Sequence, residues 1–262
     1  MKPDFSEFSY GYAVTEEFSN WQDLRLQTAP EFPSLLDEGK KGKGYDVALK
    51  PNGTGLPLFL QFKCAQYIKY TWTTQESKLG LFRKPFYRFD LRPTKYSSQH
   101  PSLMDLEAQG NEVYYVAPVF HKTPELDHAY SQRQVINQSI FFRPKDIGSL
   151  PDNKTHCISF DETRIAYRLS NPIKVASLEA EQVASRLRMQ VRQRGDFALS
   201  EDSLSRLANS LIKITNGLRI DENEGESILI HQLPPLRQIA YLSRTFLDCA
   251  FFIVSEIGNG NS

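Results

Sequence analysis

The sequence predicts an α/β (α+β) protein, in which a mixed β-sheet is flanked by helices and followed by a helical C-terminal part. Two observations favour this class. Phe (17 residues) and Tyr (12 residues) are plentiful, and aromatic residues favour strands. Along residues 1–170, segments with helical spacing alternate with strand-like segments, whereas residues after 170 keep helical spacing. We therefore expect a core over residues 1–170 and a helical region over residues 171–262 that packs on this core or forms an oligomer interface.

The core is predicted to contain, in order, a helix, three strands, a second helix and a fourth strand. These elements cover residues 6–28, the two arms of a hairpin within 44–68, residues 85–91, residues 98–109 and residues 112–120. The fourth strand, "EVYYVAPVF", is a continuous apolar run, which is typical of a strand buried in the middle of a sheet. Two shorter strands are expected in "SIFFRPKDIGSL" and "HCISFD".

Three helices are predicted in the C-terminal region, over residues 177–194, 201–216 and 235–256. The last one is apolar nearly all round after Thr245, so it must be buried in this core or against a second copy of the chain. The first one is basic because of four arginines, Arg186, Arg188, Arg192 and Arg194. A basic helix suits contact with nucleic acid or with an acidic partner, and it also suits a solvated surface.

Composition excludes several classes of protein. The chain carries 31 basic and 31 acidic residues, so a nucleic-acid surface would have to be local. Cys64, Cys157 and Cys249 are odd in number and far apart, which argues against a CxxC metal pair or an even disulfide set and fits a reducing, cytoplasmic location. The sequence has no signal-peptide pattern, no apolar run of about 18 residues and no nucleotide-binding glycine motif, so we expect neither a membrane span nor a nucleotide cofactor.

The predicted hairpin brings three polar residues to one side of the sheet. Side chains alternate along a strand, so Gln61 and Lys63 share a face, and a turn near Gly53 places Asp46 roughly opposite residues 60 and 61. The three side chains can therefore converge within a few ångströms. Taken alone, they also suit an ordinary solvated strand face, on which a lysine and an aspartate form a cross-strand pair.

The same three residues also suit a site for a divalent cation. Asp46 offers carboxylate oxygens and Gln61 a carbonyl oxygen, and Mg²⁺ prefers such ligands. Lys63 can position an attacking water or stabilise the charge that develops on a phosphate. A second carboxylate is available from Glu17, which shares the apolar face of the first helix with Tyr10 and therefore needs a partner.

Asp46, the tripeptide "QFK" at residues 61–63 and the order of the predicted elements resemble the PD-(D/E)XK nuclease superfamily. The resemblance covers about residues 6–120 and implies a restriction-endonuclease-like fold, whose core is a helix, three strands, a helix and a strand. Asp46 would match the acidic residue of the second strand, and Glu17 the acidic residue that many members carry on the first helix. Two residues depart from the pattern: Tyr45 stands where the family has Pro, and Gln61 replaces Asp or Glu, which weakens the metal site.

This resemblance implies a divalent-metal-dependent nuclease that hydrolyses phosphodiester bonds, with DNA as the expected substrate. Mg²⁺, or Mn²⁺ in its place, would be held by Glu17, Asp46 and Gln61, with Lys63 beside the attacking water. A homodimer is expected because cutting both strands of a duplex needs two such sites, and bacterial defence or restriction, or repair, is the expected role.

Two other hypotheses remain open. The chain could be a catalytically inactive member of the same fold that binds nucleic acid or protein, or a structural subunit that assembles through its C-terminal helices. Geometry discriminates between catalysis and binding. A small pocket shared by Glu17, Asp46 and Gln61 beside Lys63 favours catalysis, whereas separation of Glu17 from Asp46 favours the binding module.

Contacts with nucleic acid are predicted for five residues, Lys41, Lys43, Arg88, Gln99 and His100. The two lysines lie in a short basic, Gly-rich loop just before the predicted hairpin, where they can contact backbone phosphates. Each of the five also has a simpler explanation. The lysines suit an exposed loop, Arg88 suits an ion pair with Asp90 or a nearby Glu, and the remaining two suit the start of a helix.

Overall fold

The computed structural model describes residues 1–21, 23–27, 55–69, 73–82, 85–169, 171–216 and 230–256. Within these ranges the chain forms eight helices and eleven strands. The helices are α1 Glu7–Phe18, α2 Gln75–Lys78, α3 Gln99–Ala108, α4 Thr123–Ser131, α5 Pro144–Ile147, α6 Ala180–Ala198, α7 Glu201–Asn216 and α8 Pro235–Leu247. The strands are β1 Asn20–Trp21, β2 Leu24–Leu26, β3 Leu56–Phe62, β4 Gln66–Ile68, β5 Phe86–Leu91, β6 Glu112–Pro118, β7 Ser139–Phe142, β8 His156–Phe160, β9 Ala166–Leu169, β10 Ile173–Val175 and β11 Ala250–Glu256.

The strands form two sheets. The first sheet has six strands in the order β1-β2-β11-β3-β6-β7, and it is mixed because β3 and β6 run parallel while the other neighbours run antiparallel. The second sheet has five strands in the order β10-β9-β8-β5-β4, and its described pairs are all antiparallel. Helices cover both sheets, and three long helices lie in the C-terminal part, which confirms the predicted α/β (α+β) class.

The first sheet has two different faces. Leu58, Leu60 and Phe62 on β3 pack in one core cluster with apolar residues of α1, α4 and α6. We call this side the helix face. Phe59 on β3 and Val113 on β6 point the other way and pack with residues of the second sheet, α3, α7 and α8. We call that side the inner face, and the alternation of the strands assigns each side chain of β3 to one face or the other.

Strand β3 is buried along its whole length, because both of its edges are paired and both of its faces are covered. Its sequence "LPLFLQF" suits this position, since a strand buried on both faces is a near-continuous apolar run. Helix α1 packs closely on its end. A Cβ atom at Gly11 would come within 2.8 Å of the Phe62 ring, so the helix can approach the strand only because a glycine stands there.

The pairing of β3 differs from the predicted hairpin. Strand β11 pairs antiparallel with residues 56–60, and β6 pairs parallel with residues 58–62, whereas the predicted first arm at residues 44–50 lies outside the described residues. The apolar pattern identified β3 as a strand, but it could not identify the partner. A strand from the far end of the chain pairs with β3 where the predicted hairpin arm was expected.

Two predicted helices are shorter than expected. Helix α1 ends at Phe18, and Trp21 and Leu24, which continue its helical spacing, lie instead in the paired strands β1 and β2. The predicted helix over 235–256 ends at Leu247. Asp248 follows in the left-handed conformation, with φ of 53°, and β11 begins two residues later. An all-apolar segment suits a buried strand as well as a buried helix, so its spacing could not separate the two.

Candidate active site

The candidate site lies where β3 and β6 end at the same edge of the first sheet. The register runs from Leu58 opposite Glu112 to Phe62 opposite Val116, and the Lys63 N–H extends it by donating to the Val116 carbonyl at 2.8 Å. We call this end of the sheet, at residues 61–63 and 115–117, the carboxyl edge. Ligands in α/β sheets commonly bind outside the carboxyl ends of parallel strands, so a ligand site is expected at this edge.

Gln61 lies on the inner face of the carboxyl edge with no exposed surface. Its Nε2 donates to the Leu247 carbonyl at 3.5 Å, which fixes the amide orientation, because the reverse orientation would set two carbonyl oxygens against each other. Its Oε1 is buried and has no hydrogen-bond partner in the described part of the chain. An unpaired buried polar atom costs about 1–3 kcal/mol and is rare in folded proteins, so this oxygen is a position where a ligand would supply the missing partner.

Lys63 lies two residues further on and therefore on the same face. Its exposed fraction is only 9%, and its ammonium makes no hydrogen bond or ion pair with any described residue. Burial raises the pKa of the Cys249 thiol, and the nearby positive charge of Lys63 partly opposes that rise. Lysines are seldom buried unless they are paired, and Lys63 has no counter-ion among the residues that the structure describes.

Asp248 is a carboxylate at this edge that sequence analysis missed. The β3–β11 ladder ends at Ala250 opposite Leu60, and Asp248 lies two residues before it, directly after Leu247, whose carbonyl accepts the Gln61 amide N–H. Asp248 raises the pKa of the Cys249 thiol, after the larger effect of burial, whereas Lys63 and Arg244 lower it. Both Asp248 and Lys63 therefore act on the same thiol. The Asp248 carboxylate also pairs with Arg244 at 3.5 Å.

A signal for Asp248 was present in the sequence. The run "AFFIVS" after Cys249 is rich in aromatic and β-branched residues, which favour strands. Aspartate tolerates the left-handed conformation that commonly ends a helix. Together these features predict a helix end at Asp248 and a strand after it. They do not predict that this strand pairs with β3.

The structure corrects the expectation that Glu17 shares this pocket. Glu17 lies on the helix face, where its Oε2 accepts hydrogen bonds from the N–H groups of Val135 at 2.7 Å and Ile136 at 3.3 Å. The first sheet separates it from Gln61 and Lys63. Burial raises the pKa of this carboxyl, and the two backbone hydrogen bonds oppose that rise. The partner that its apolar surroundings require is a turn of the backbone, and a metal is not needed there.

Gln99 and His100 lie at the start of α3, which was one of the two explanations of their sequence position. The Gln99 Nε2 donates to the Leu247 carbonyl at 2.9 Å, so two glutamines, one from β3 and one from the start of α3, meet at the C-terminal end of α8. His100 is buried, with one ring nitrogen 2.9 Å from the Tyr115 hydroxyl and the other 3.0 Å from the Gly148 carbonyl. Both nitrogens of His100 are engaged within the fold, which leaves none for a phosphate, while Gln99 borders the site.

Arg88 pairs with a buried carboxylate, which was one of the two interpretations of its sequence position. Its Nη1 lies 3.3 Å from Oε1 of Glu76. This oxygen also accepts a hydrogen bond from the Ser159 hydroxyl at 2.7 Å. The four arginines of α6 are also engaged within the chain. Arg186 pairs with Glu112, Arg188 with Glu181 and Arg192 with Glu256, and Arg194 donates to the Gly110 carbonyl.

Three predicted site residues, Asp46, Lys41 and Lys43, lie outside the described residues. Their predicted roles at a metal site and at a phosphate backbone stay predictions. Of the predicted catalytic set, the structure brings Gln61 and Lys63 together on one face and places Glu17 on the other.

The oxygen donors at the carboxyl edge decide which metal would fit. No group of three or more His, Cys, Asp or Glu side chains within the described ranges could hold a metal ion. The available donors are the unpaired Gln61 Oε1 and the Asp248 carboxylate. Both are oxygen donors, which is the ligand type of Mg²⁺, whereas structural zinc sites use mainly nitrogen and sulfur ligands.

Comparison with protein-family models, with curated proteins and with solved structures finds no match to this chain. Among the described residues, no helix is both long and apolar enough to cross a membrane.

Proposed function

We propose that the chain is a divalent-metal-dependent nuclease that hydrolyses phosphodiester bonds in DNA, with its site at the carboxyl edge. The observations that support this are the buried Gln61 Oε1, which has no partner among the described residues, and Lys63 two residues further on the same face, which forms no ion pair with any described residue. Within the described part of the chain, a metal ion would supply the missing partner of the Gln61 oxygen, and a phosphate would supply a counter-ion for Lys63.

Each residue has a distinct part in this proposal. Gln61 contributes a carbonyl oxygen to Mg²⁺, and its amide nitrogen is already held by the Leu247 carbonyl, so the oxygen is fixed in direction. Lys63 attracts the phosphate and stabilises negative charge as the transition state forms. A bound Mg²⁺ would act as a Lewis acid and lower the pKa of a coordinated water.

The carboxylate of the site has two sources. Asp248 ends α8 next to Leu247, whose carbonyl accepts the Gln61 amide, and Asp46 remains the residue that the resemblance to the PD-(D/E)XK superfamily implies. The sequence places Asp46 before β3 in the chain, and the structure gives the neighbouring position in the sheet to β11, which follows Asp248. If Asp248 is the metal ligand, its substitution abolishes cleavage. If Asp46 is the ligand, the substitution of Asp46 does so instead.

The experiment is a cleavage assay on plasmid and linear DNA with Mg²⁺ or Mn²⁺. The wild type is compared with Asp46→Asn, Asp248→Asn and Lys63→Ala, and Lys69→Ala serves as the control because Lys69 is an exposed lysine on the same segment. We expect metal-dependent cleavage that is lost in Lys63→Ala and in one of the two aspartate variants but retained in Lys69→Ala. Cleavage that persists in all of these variants, or that does not need a metal, would contradict the proposal.

A catalytically inactive binding module is the second candidate. The observation that favours it is the position of Glu17, which is held by two backbone N–H groups on the far side of the sheet and leaves the site with fewer carboxylates. In that case Lys63 would still bind phosphate. We would then find DNA binding that depends on Lys63, no cleavage with any metal, and no metal binding by calorimetry.

The quaternary and cellular roles are proposals of the same kind. A homodimer would allow two single-site subunits to cut both strands of a duplex, and restriction or defence against foreign DNA is the process in which such an enzyme would act. Sedimentation equilibrium with and without a duplex tests the first point. A protein that remains monomeric on DNA while making double-strand breaks would contradict it.

A further inference from the structure

An open cleft lies at the opposite end of β3 from the carboxyl edge. Its volume is about 330 Å³, at the lower end of the range of ligand sites. Leu56 and Pro57 at the start of β3 form one wall, and the end of α3 forms the second. The last turns of α6 and the first half of α7 close the remaining sides. Residues of four different elements therefore converge on it.

The cleft is positively charged, although the chain as a whole has no net charge. Arg194 of α6 and Arg206 of α7 both line it, and none of the described residues that line it is a carboxylate. A guanidinium has five N–H donors in a planar fork, which suits the oxygens of a phosphate. Two guanidiniums without an acidic neighbour in the lining form a site for an anion.

Contacts within the chain hold both arginines in place before any ligand binds. Arg194 donates through Nη1 to the Gly110 carbonyl at 2.7 Å, and Arg206 donates through Nη2 to the Ser203 hydroxyl at 3.0 Å. Each of these bonds uses one nitrogen and leaves other donors of the same guanidinium for a ligand. Because the side chains are already oriented, less conformational entropy is lost on binding.

The rest of the lining suits the body of an organic ligand. Ser210 donates to the Gln109 side-chain oxygen, which turns the Gln109 amide N–H groups toward other partners. Leu207 adds an apolar surface. An anion alone would use only the two arginines, whereas a larger molecule could also contact the amides and the apolar wall.

We propose that this cleft binds a phosphomonoester on a nucleoside-sized body, with the phosphate between Arg194 and Arg206. The site is separate from the carboxyl edge and does not depend on nuclease activity. The same chemical group occurs on a free mononucleotide and on the 5′ end of a nucleic-acid strand, and the experiment distinguishes these two sources.

The test is isothermal titration calorimetry on the full chain at low ionic strength, with adenosine 5′-monophosphate and adenosine as probes. We expect saturable binding of the monophosphate, at least about tenfold weaker binding of adenosine, and a similar loss in Arg206→Gln and Arg194→Gln. Lys213→Gln is the matched control, because it removes one positive charge from an exposed position on the same helix as Arg206. Thermal unfolding of Arg194→Gln shows whether losing the bond to Gly110 has disturbed the fold, and Arg206→Gln does not depend on that bond.

Three results would overturn the inference: no saturable binding of the monophosphate, equal binding of adenosine, or full binding by both arginine variants. Loss of binding in Lys63→Ala would also overturn it, because the ligand would then lie at the carboxyl edge. If binding is found, a 5′-phosphorylated oligonucleotide that binds more tightly than its 5′-hydroxyl form and than the monophosphate assigns the site to strand ends. The reverse order assigns it to a free nucleotide.

Discussion

The two faces of the first sheet treat their buried polar groups differently. On the helix face, the Glu17 carboxylate accepts two backbone N–H groups, and Glu112 binds Arg186 through both of its oxygens while also accepting the Tyr114 hydroxyl. On the inner face, Gln61 has an oxygen without a partner and Lys63 a charge without a counter-ion, among the residues that the structure describes.

This difference separates residues that hold the fold from residues that are available for function. A satisfied buried carboxylate lowers the free energy of the fold, and removing it leaves its partners unpaired. An unsatisfied group costs stability, so its removal should relieve the fold and harm only what it binds. Both faces carry charged residues in an apolar setting. Whether such a residue holds the fold or is available for function depends on the partners it has.

The largest loss of stability is expected on the helix face at Glu112. Replacing Glu112 by Leu leaves the partly buried Arg186 guanidinium without its bidentate partner, and we expect a loss of about 3 kcal/mol in the free energy of unfolding. Urea denaturation measures it. Glu181→Gln is the control, because it breaks a more exposed ion pair on the same helix, with Arg188, and should cost less than about 1 kcal/mol. Equal losses in the two variants would remove the distinction.

The next largest loss is expected at Glu17. Glu17→Leu removes the acceptor of two buried N–H groups, and we expect a loss of about 2 kcal/mol. Glu17→Gln, which keeps an acceptor oxygen, should lose less than this. If the folded Glu17→Leu protein also lost metal-dependent DNA cleavage completely, Glu17 would belong to the active site after all, and its assignment to the fold would fail.

On the inner face, Gln61→Leu should change stability by less than about 1 kcal/mol. The variant loses one long hydrogen bond to Leu247 and also removes the buried oxygen that has no partner, so the two effects oppose each other. Urea denaturation of this variant beside Glu17→Leu compares the two faces directly. A loss as large as that of Glu17→Leu would mean that Gln61 is primarily a structural cap on α8.

The smallest effect is a dependence on pH. Burial raises the pKa of Glu17 in the folded protein above its ordinary value of 4.5. Between the two pKa values the folded state binds more protons than the unfolded state, so the contribution of this group to stability is full below pH 4.5 and is lost as the pH rises through the raised pKa. The difference in unfolding free energy between wild type and Glu17→Gln should therefore change over this window and become constant above it. A constant difference throughout would show that burial does not perturb the carboxyl.

Local sequence patterns were sufficient for much of the fold. Apolar alternation and turn residues identified β3, β5, β6 and α3 close to their bounds, and the C-terminal helices α6 and α7 as well. The mixed α/β class followed from these elements. Each of them depends on contacts within a short segment, which is why the pattern of a single segment could predict them.

Long-range pairing could not be predicted in the same way. Nothing in the sequence of β3 states that its antiparallel neighbour lies about 190 residues away in β11, since the register of a strand depends on which partner buries its apolar side chains. The same limit applies to the site. The spacing of Gln61 and Lys63 placed both on one face, but the face that Glu17 occupies depends on where α1 packs, and the position of Asp248 depends on the fold of the opposite end of the chain.

The most direct test of the account is the rate of Mg²⁺-dependent DNA cleavage by Lys63→Met, measured beside its unfolding free energy, with Lys69→Met as the control. If Lys63 serves catalysis, the rate falls by about 10²–10³-fold while stability is kept or rises, because the charge that is removed has no counter-ion among the described residues. Lys69→Met should cleave like the wild type. Cleavage at the wild-type rate by Lys63→Met, or a loss of stability that accounts for its lost activity, would contradict the claim that the inner face of β3 carries the function of this protein.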